Sequence, residues 1–68
     1  MADLDAMKAE LKKLAARATQ AKMDLHDLSE ELPVDWRRIP EVAERAYSAH
    51  ATLEAARAEL KAFETAGA

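Results

Sequence analysis

Two runs of apolar and small residues, each stepping by three and four without a slip, leave this chain very few folds. The first falls at Leu4, Met7, Leu11, Leu14, Ala18, Ala21, Leu25, Leu28 and Leu32. The second falls at Ile39, Val42, Ala46, Ala49, Leu53, Ala56, Leu60 and Phe63. A mean step of about 3.5 residues is the period of a coiled-coil seam, narrower than the face of an ordinary surface helix. Each run therefore predicts one long helix with a single buried stripe. Between them stands Pro33, which lacks an amide donor and drives Leu32 away from helical geometry.

The boundaries follow from local chemistry. Asp3 is a natural N-cap, since its carboxylate can accept from the free amides of a first turn. The first helix is expected over about residues 3–32, roughly 43 Å at 1.5 Å per residue. The bend is expected at 33–36, with Asp35 able to cap the next turn. A helix starting at Trp36 would need the amide that Pro40 lacks. A short 3₁₀-like turn around Trp36 is therefore predicted, the regular helix settling in near Pro40, which suits a first helical turn. The second helix is expected over about 37–65, with Gly67 as a stop.

So short a bend makes the helices antiparallel neighbours, giving an all-α, antiparallel two-helix hairpin as the single domain of residues 1–68. Folding at Pro33 sets Leu28 beside Val42, Leu25 beside Ala46, Ala21 beside Ala49 and Ala18 beside Leu53. Further along, Leu14 meets Ala56, Leu11 meets Leu60 and Met7 meets Phe63. Large faces small in several layers, which lets the seams interdigitate. On the flanks, Asp24 falls near Arg45, Glu31 near Arg38 and Lys8 near Glu64, opposite charges that agree with this register.

Hydrophobic residues make up 50% of the 68, but alanine supplies much of that, and the aromatics are Trp36, Tyr47 and Phe63 alone. A lone hairpin of this composition is poorly supplied with core, so self-association is expected, most simply as a homodimer. The Ala21–Ala49 layer is thin. One flank is small or uncharged at Ala15, Ser29, Ala43 and His50, where a second hairpin would complete a four-helix bundle.

A net charge of −3 with both signs interspersed argues against nucleic acid or an anionic membrane as partner. No stretch approaches the length of an apolar transmembrane helix, and the start Met1-Ala2-Asp3-Leu4-Asp5 lacks the features of a secretory signal. Without cysteine there is no disulfide and no thiolate metal site. A cytoplasmic protein is expected.

A two-helix rod offers no pocket in which catalytic groups could converge, and the sequence carries neither a Gly-rich phosphate loop nor a cysteine nucleophile. The protein is expected not to be an enzyme. Thr19, Met23, His26 and Glu30 form a second stripe on the outer face of the first helix, with Asp27 beside it. A methionine exposed next to a histidine suits contact with another protein, although an ordinary solvated face would also account for it. His26 and Glu30, four apart, could share a metal ion, as could His50 and Glu54, though a polar outer face is the plainer explanation. Trp36 at the bend is expected to plug the open end of the core, with an anchor for a partner as the alternative. Arg37 and Arg38 are expected in solvent, Arg38 pairing with Glu31.

The run Ala-Thr-Gln-Ala-Lys-Met-Asp-Leu-His-Asp-Leu-Ser-Glu-Glu-Leu-Pro at residues 18–33, then Asp35-Trp36 and Glu41-Val42-Ala43-Glu44-Arg45-Ala46-Tyr47, resembles a small family of Rop-like helical-hairpin proteins. That family accompanies nitrogen-fixation genes and long bore the label of a domain of unknown function. The resemblance implies a self-associating hairpin with an accessory role around nitrogenase, and a metalloprotein of iron or nickel type with His26 in the matching motif. His50 stands where relatives are expected to carry an aromatic. The leading expectation is a non-enzymatic accessory protein that docks on a nitrogenase component through Thr19, Met23, His26, Asp27, Glu30 and Trp36, in assembly or in protection of an inactive state. The alternatives are a metal-delivery protein centred on His26 and Glu30, and a structural dimerisation module.

Overall fold

The structure is a computed structural model that describes residues 2–67, with side-chain environments for residues 4–65. Helix α1 runs Ala2–Glu31 and helix α2 runs Ile39–Gly67, joined through a 3₁₀ turn at Trp36–Arg38. They lie antiparallel in a rod 51 × 15 × 13 Å. Helix α1 begins at Ala2, so Asp3 sits inside the first turn instead of capping it; its side chain lies outside the described residues.

The buried side chains fall on the expected seam. Leu14, Ala18, Ala21 and Leu28 of α1 meet Val42, Ala46 and Leu53 of α2. Leu14, Ala18 and Leu53 form one cluster, flanked by Leu11, Ala49 and Ala56, which matches the register of the sequence pattern. Met7 and Phe63 line one shallow depression at the open end of the hairpin. Alternation of leucine with alanine across the seam lets the axes approach closely while still filling each layer.

Leu25 departs from its partners and is 36% exposed. It faces Ala43, Ala46 and Tyr47 along one flank. That flank is open, and about a third of the side chain stays in solvent. The end layers also stay open, with Leu32 and Ile39 each 39% exposed and Phe63 43%.

The bend differs from expectation in its detail. Leu32 still donates to the Leu28 carbonyl at 3.1 Å but lies outside α1, because Pro33 disfavours helical geometry at the residue before it. The Leu32–Pro33 peptide is cis. Asp35 makes no side-chain cap; it sits in the left-handed region at φ 58°, ψ 28° and turns the chain with its backbone. Aspartate tolerates that region better than most residues. Its carbonyl accepts from the Arg38 amide at 2.9 Å, closing the 3₁₀ turn. Regular α-structure starts at Ile39, so Pro40 is the second helical residue, where a missing amide breaks no helical bond.

Among the described residues no ion pair joins the two helices. Arg38 reaches Glu41 at 3.6 Å and Arg45 reaches the same carboxylate at 4.0 Å. The expected Glu31–Arg38, Asp24–Arg45 and Lys8–Glu64 pairs are not formed. A partner three or four residues away on the same helix is nearer than one across the seam, and exposed pairs hold geometry weakly.

Candidate functional site

The outer face of α1 and the hairpin tip hold the groups with chemical potential. Thr19, Met23, His26, Asp27 and Glu30 are exposed. Helical periodicity turns them away from α2 because the seam at Ala18, Ala21 and Leu28 claims the opposite side. Met23 leaves 52% of its surface in solvent. Beside the stripe, Gln20 donates to Asp24 at 2.9 Å. Within it, the Ser29 hydroxyl donates to the His26 carbonyl at 2.7 Å.

His26 stands between two carboxylates. Its Nδ1 is 3.7 Å from Asp27 Oδ1 and its Nε2 is 3.7 Å from Glu30 Oε2. These are longer than hydrogen bonds and the side chains are about two-thirds exposed, so they add little stability. A span of 3.7 Å between Nε2 and Oε2 is one that a single ion could bridge, given metal–ligand distances of about 2.1 Å. Among the described residues, however, no three His, Cys, Asp or Glu side chains converge as a metal set. Within one chain the described residues bring two candidate ligands, His26 and Glu30, to that span. His50 and Glu54 are not drawn together as an ion pair: Glu54 turns instead to Arg57, at 2.7 Å.

Trp36 does not plug the core. It is 58% exposed, because the 3₁₀ turn carries it past the last seam layer, and the Arg37 guanidinium lies 5.4 Å from its ring centroid. That is within cation–π range. Val34 is 62% exposed beside it.

One flank feature escaped the sequence pattern, and one that it foresaw is present. Tyr47, 73% exposed, overhangs the groove that holds Leu25, Ala43 and His50. Its place one residue past the seam position Ala46 is the signal that could have marked it as outward. On the other flank, the thin Ala21–Ala49 layer opens into a depression of about 420 Å³ walled by Arg17, Asp24 and Arg45. The small, uncharged flank of Ala15, Ser29, Ala43 and His50 runs with the Tyr47 groove, Ala15 and Ala43 being half-buried and the other two exposed.

Fold and surface together define a small antiparallel helical hairpin whose polar and aromatic groups lie on open faces. The chain belongs to the Rop-like family, which it matches over residues 2–65. It is similar to a UPF0437 protein of Azorhizobium caulinodans, at 52% identity over all of this chain and 99% of the relative. A protein of Frankia alni named for its position in the nifX–nifW intergenic region is 47% identical, over 75% of this chain and 65% of its own length. An NMR structure solved as a structural-genomics target is 52% identical, with a TM-score of 0.81, covering 87% of this chain and 83% of that one. No helix among the described residues is long and apolar enough to cross a membrane.

Proposed function

We propose that this chain is a non-enzymatic accessory protein of nitrogen fixation, acting in the cytoplasm, that docks on a nitrogenase component through the outer face of α1 and the hairpin tip. The link to nitrogen fixation is supported by the Frankia alni relative, whose name sets it between nifX and nifW. The docking surface is supported by one observation above the others: Met23, Val34 and Trp36 are large apolar side chains left more than half exposed. They run from the outer face of α1 onto the tip, and a solvated rod has no use for them there. Partner proteins recognise such helix faces through a few apolar anchors with polar groups around them. His26, Asp27, Glu30 and Thr19 supply the polar groups. Association would serve assembly or the protection of an inactive state, the hairpin acting as a rigid clip.

A pull-down of nitrogenase components with the wild type and with a Met23→Ala/His26→Ala double variant tests this. Recovery is expected to fall in the variant, and equal recovery would remove the α1 face from the account. Self-association belongs to the same reading. A second hairpin on the Ala15/Ser29/Ala43/His50 flank would cover Leu25 and Tyr47 and give a four-helix homodimer.

The 3.7 Å span between His26 and Glu30 supports a second reading, delivery of an iron or nickel ion held by these two ligands. Titration calorimetry with Fe(II), Ni(II) and Zn(II) decides it: a His26→Ala variant with unchanged affinity would end that reading.

A further inference from the structure

We infer that the hairpin tip is a knob that enters an apolar recess on the partner protein, with Trp36 as the inserted group and a carboxylate at the mouth of the recess facing Arg37. This rests on the docking reading above and gives the partner's surface its chemistry.

The tip gathers four large apolar side chains: Val34 at 62% and Trp36 at 58% exposed, with Leu32 and Ile39 partly covered at 39% each. They occupy one convex end of a rod only 15 × 13 Å across. A convex end cannot fold over itself, and an apolar patch gathered in one place marks a contact surface more often than scattered exposed residues do. A recess on the partner is the complementary shape. Tryptophan and arginine are the side chains most enriched among residues that dominate interfaces.

The electrostatics limit what the recess can be. Of the two arginines in the 3₁₀ turn, Arg38 is taken by Glu41, whereas Arg37 has no carboxylate partner among the described residues and rests on the indole instead. Stacking holds the guanidinium beside the ring, so inserting Trp36 carries a positioned cation to the mouth of the recess. In the sequence it is flanked by Glu31, Asp35 and Glu41, carboxylates that would repel a broadly negative surface. The fit is thus to one carboxylate at the edge of an apolar socket, and neither to an extended acidic patch nor to an anionic lipid surface.

Trp36 is the only tryptophan, so a chain labelled with 5-fluorotryptophan gives one fluorine resonance from the tip. Each purified nitrogenase component is titrated into it, with affinities measured in parallel by interferometry. One component is expected to shift and broaden the resonance. Trp36→Ala should weaken binding at least about thirty-fold. Arg37→Ala should weaken it about ten-fold and Arg37→Glu further. Circular dichroism of all three should match the wild type, since both side chains lie outside the core.

Binding with an unmoved fluorine resonance would overturn the tip proposal while leaving the α1 face as the docking surface. A resonance that moves when the labelled chain alone is concentrated would also overturn it, assigning the tip to self-contact. Arg37→Glu binding as tightly as the wild type would strike out the carboxylate. Failure of the wild type to bind either component would bring down both this proposal and the function it rests on.

Discussion

Leu25 and Leu53 hold equivalent places in the two repeating patterns, yet Leu53 is 5% exposed and Leu25 36%. The difference sets up a quantitative comparison. Leu53→Ala removes three carbons from a sealed layer against Leu14 and Ala18. At roughly 0.8 kcal/mol per carbon, plus a contribution from the void left behind, the loss is about 3 kcal/mol. Leu25→Ala removes the same atoms from a site already open to water. About two-thirds of the transfer energy applies and no closed void forms, so the loss is about 1.5 kcal/mol.

A chain of this size is stable by only some 3–10 kcal/mol, so the two variants should be easy to tell apart. The gap is roughly tenfold in the unfolding constant. At about 4–8 °C per kcal/mol it should separate their melting temperatures by about 6–12 °C. Urea and thermal melts followed by far-UV circular dichroism, at chain concentrations spanning two decades, measure it. At the lowest concentration Leu53→Ala should be the more damaging. If a second hairpin covers the Leu25 groove, the deficit of Leu25→Ala should grow with concentration, because assembly then stabilises what it buries. Equal losses at every concentration, or a larger loss for Leu25→Ala in the dilute chain, would refute the description of Leu53 as core and Leu25 as flank.

Four further substitutions probe the bend and the flank. Asp35→Asn should leave stability within about 0.5 kcal/mol and Asp35→Val should lose about 1–2 kcal/mol, since the backbone angle and not a side-chain cap is what this position supplies; urea melts distinguish the two. Trp36→Ala should lower stability by less than about 1 kcal/mol by the same assay, where a core plug would lose about 3–5 kcal/mol. Ala43→Arg should shift sedimentation toward the monomer without lowering helicity, because it sets a charge on the flank proposed to meet a second copy.

The architecture was legible because periodicity is a strong signal when it continues without a slip over two long segments. The same pattern that made Leu53 a core residue placed it beside Ala18, and the two do pack together. What the pattern could not convey was how a layer closes in three dimensions. Leu25 obeys the repeat and still leaves about a third of its surface in the flank groove. The ion pairs misled for a related reason: register brings Asp24 and Arg45 to the same groove, but Glu41 is nearer to Arg45 along its own helix. Trp36 was harder still. An aromatic at a bend can fold inward or project, and the choice depends on the left-handed turn at Asp35 that launches the 3₁₀ segment. The outer stripe was readable as a face, and its residues are where helical geometry puts them. Its purpose was carried by resemblance, because exposure alone does not name a partner.

The end of α1 adds a physical argument for where that purpose lies. Its last turn carries Glu30 and Glu31 and no basic residue. The carbonyl end of a helix bears partial negative charge, so carboxylates there are unfavourable by about 0.3–1 kcal/mol each. A sequence tuned for hairpin stability alone would place lysine or arginine at those positions, and the last turn of α2 lacks a basic residue as well. Natural chains break such local rules mainly where another requirement overrides them. The rule is broken in the turn that joins the His26/Glu30 face to the apolar tip. Both helices end without a basic residue, so the seam in the middle of the rod is left to hold the fold.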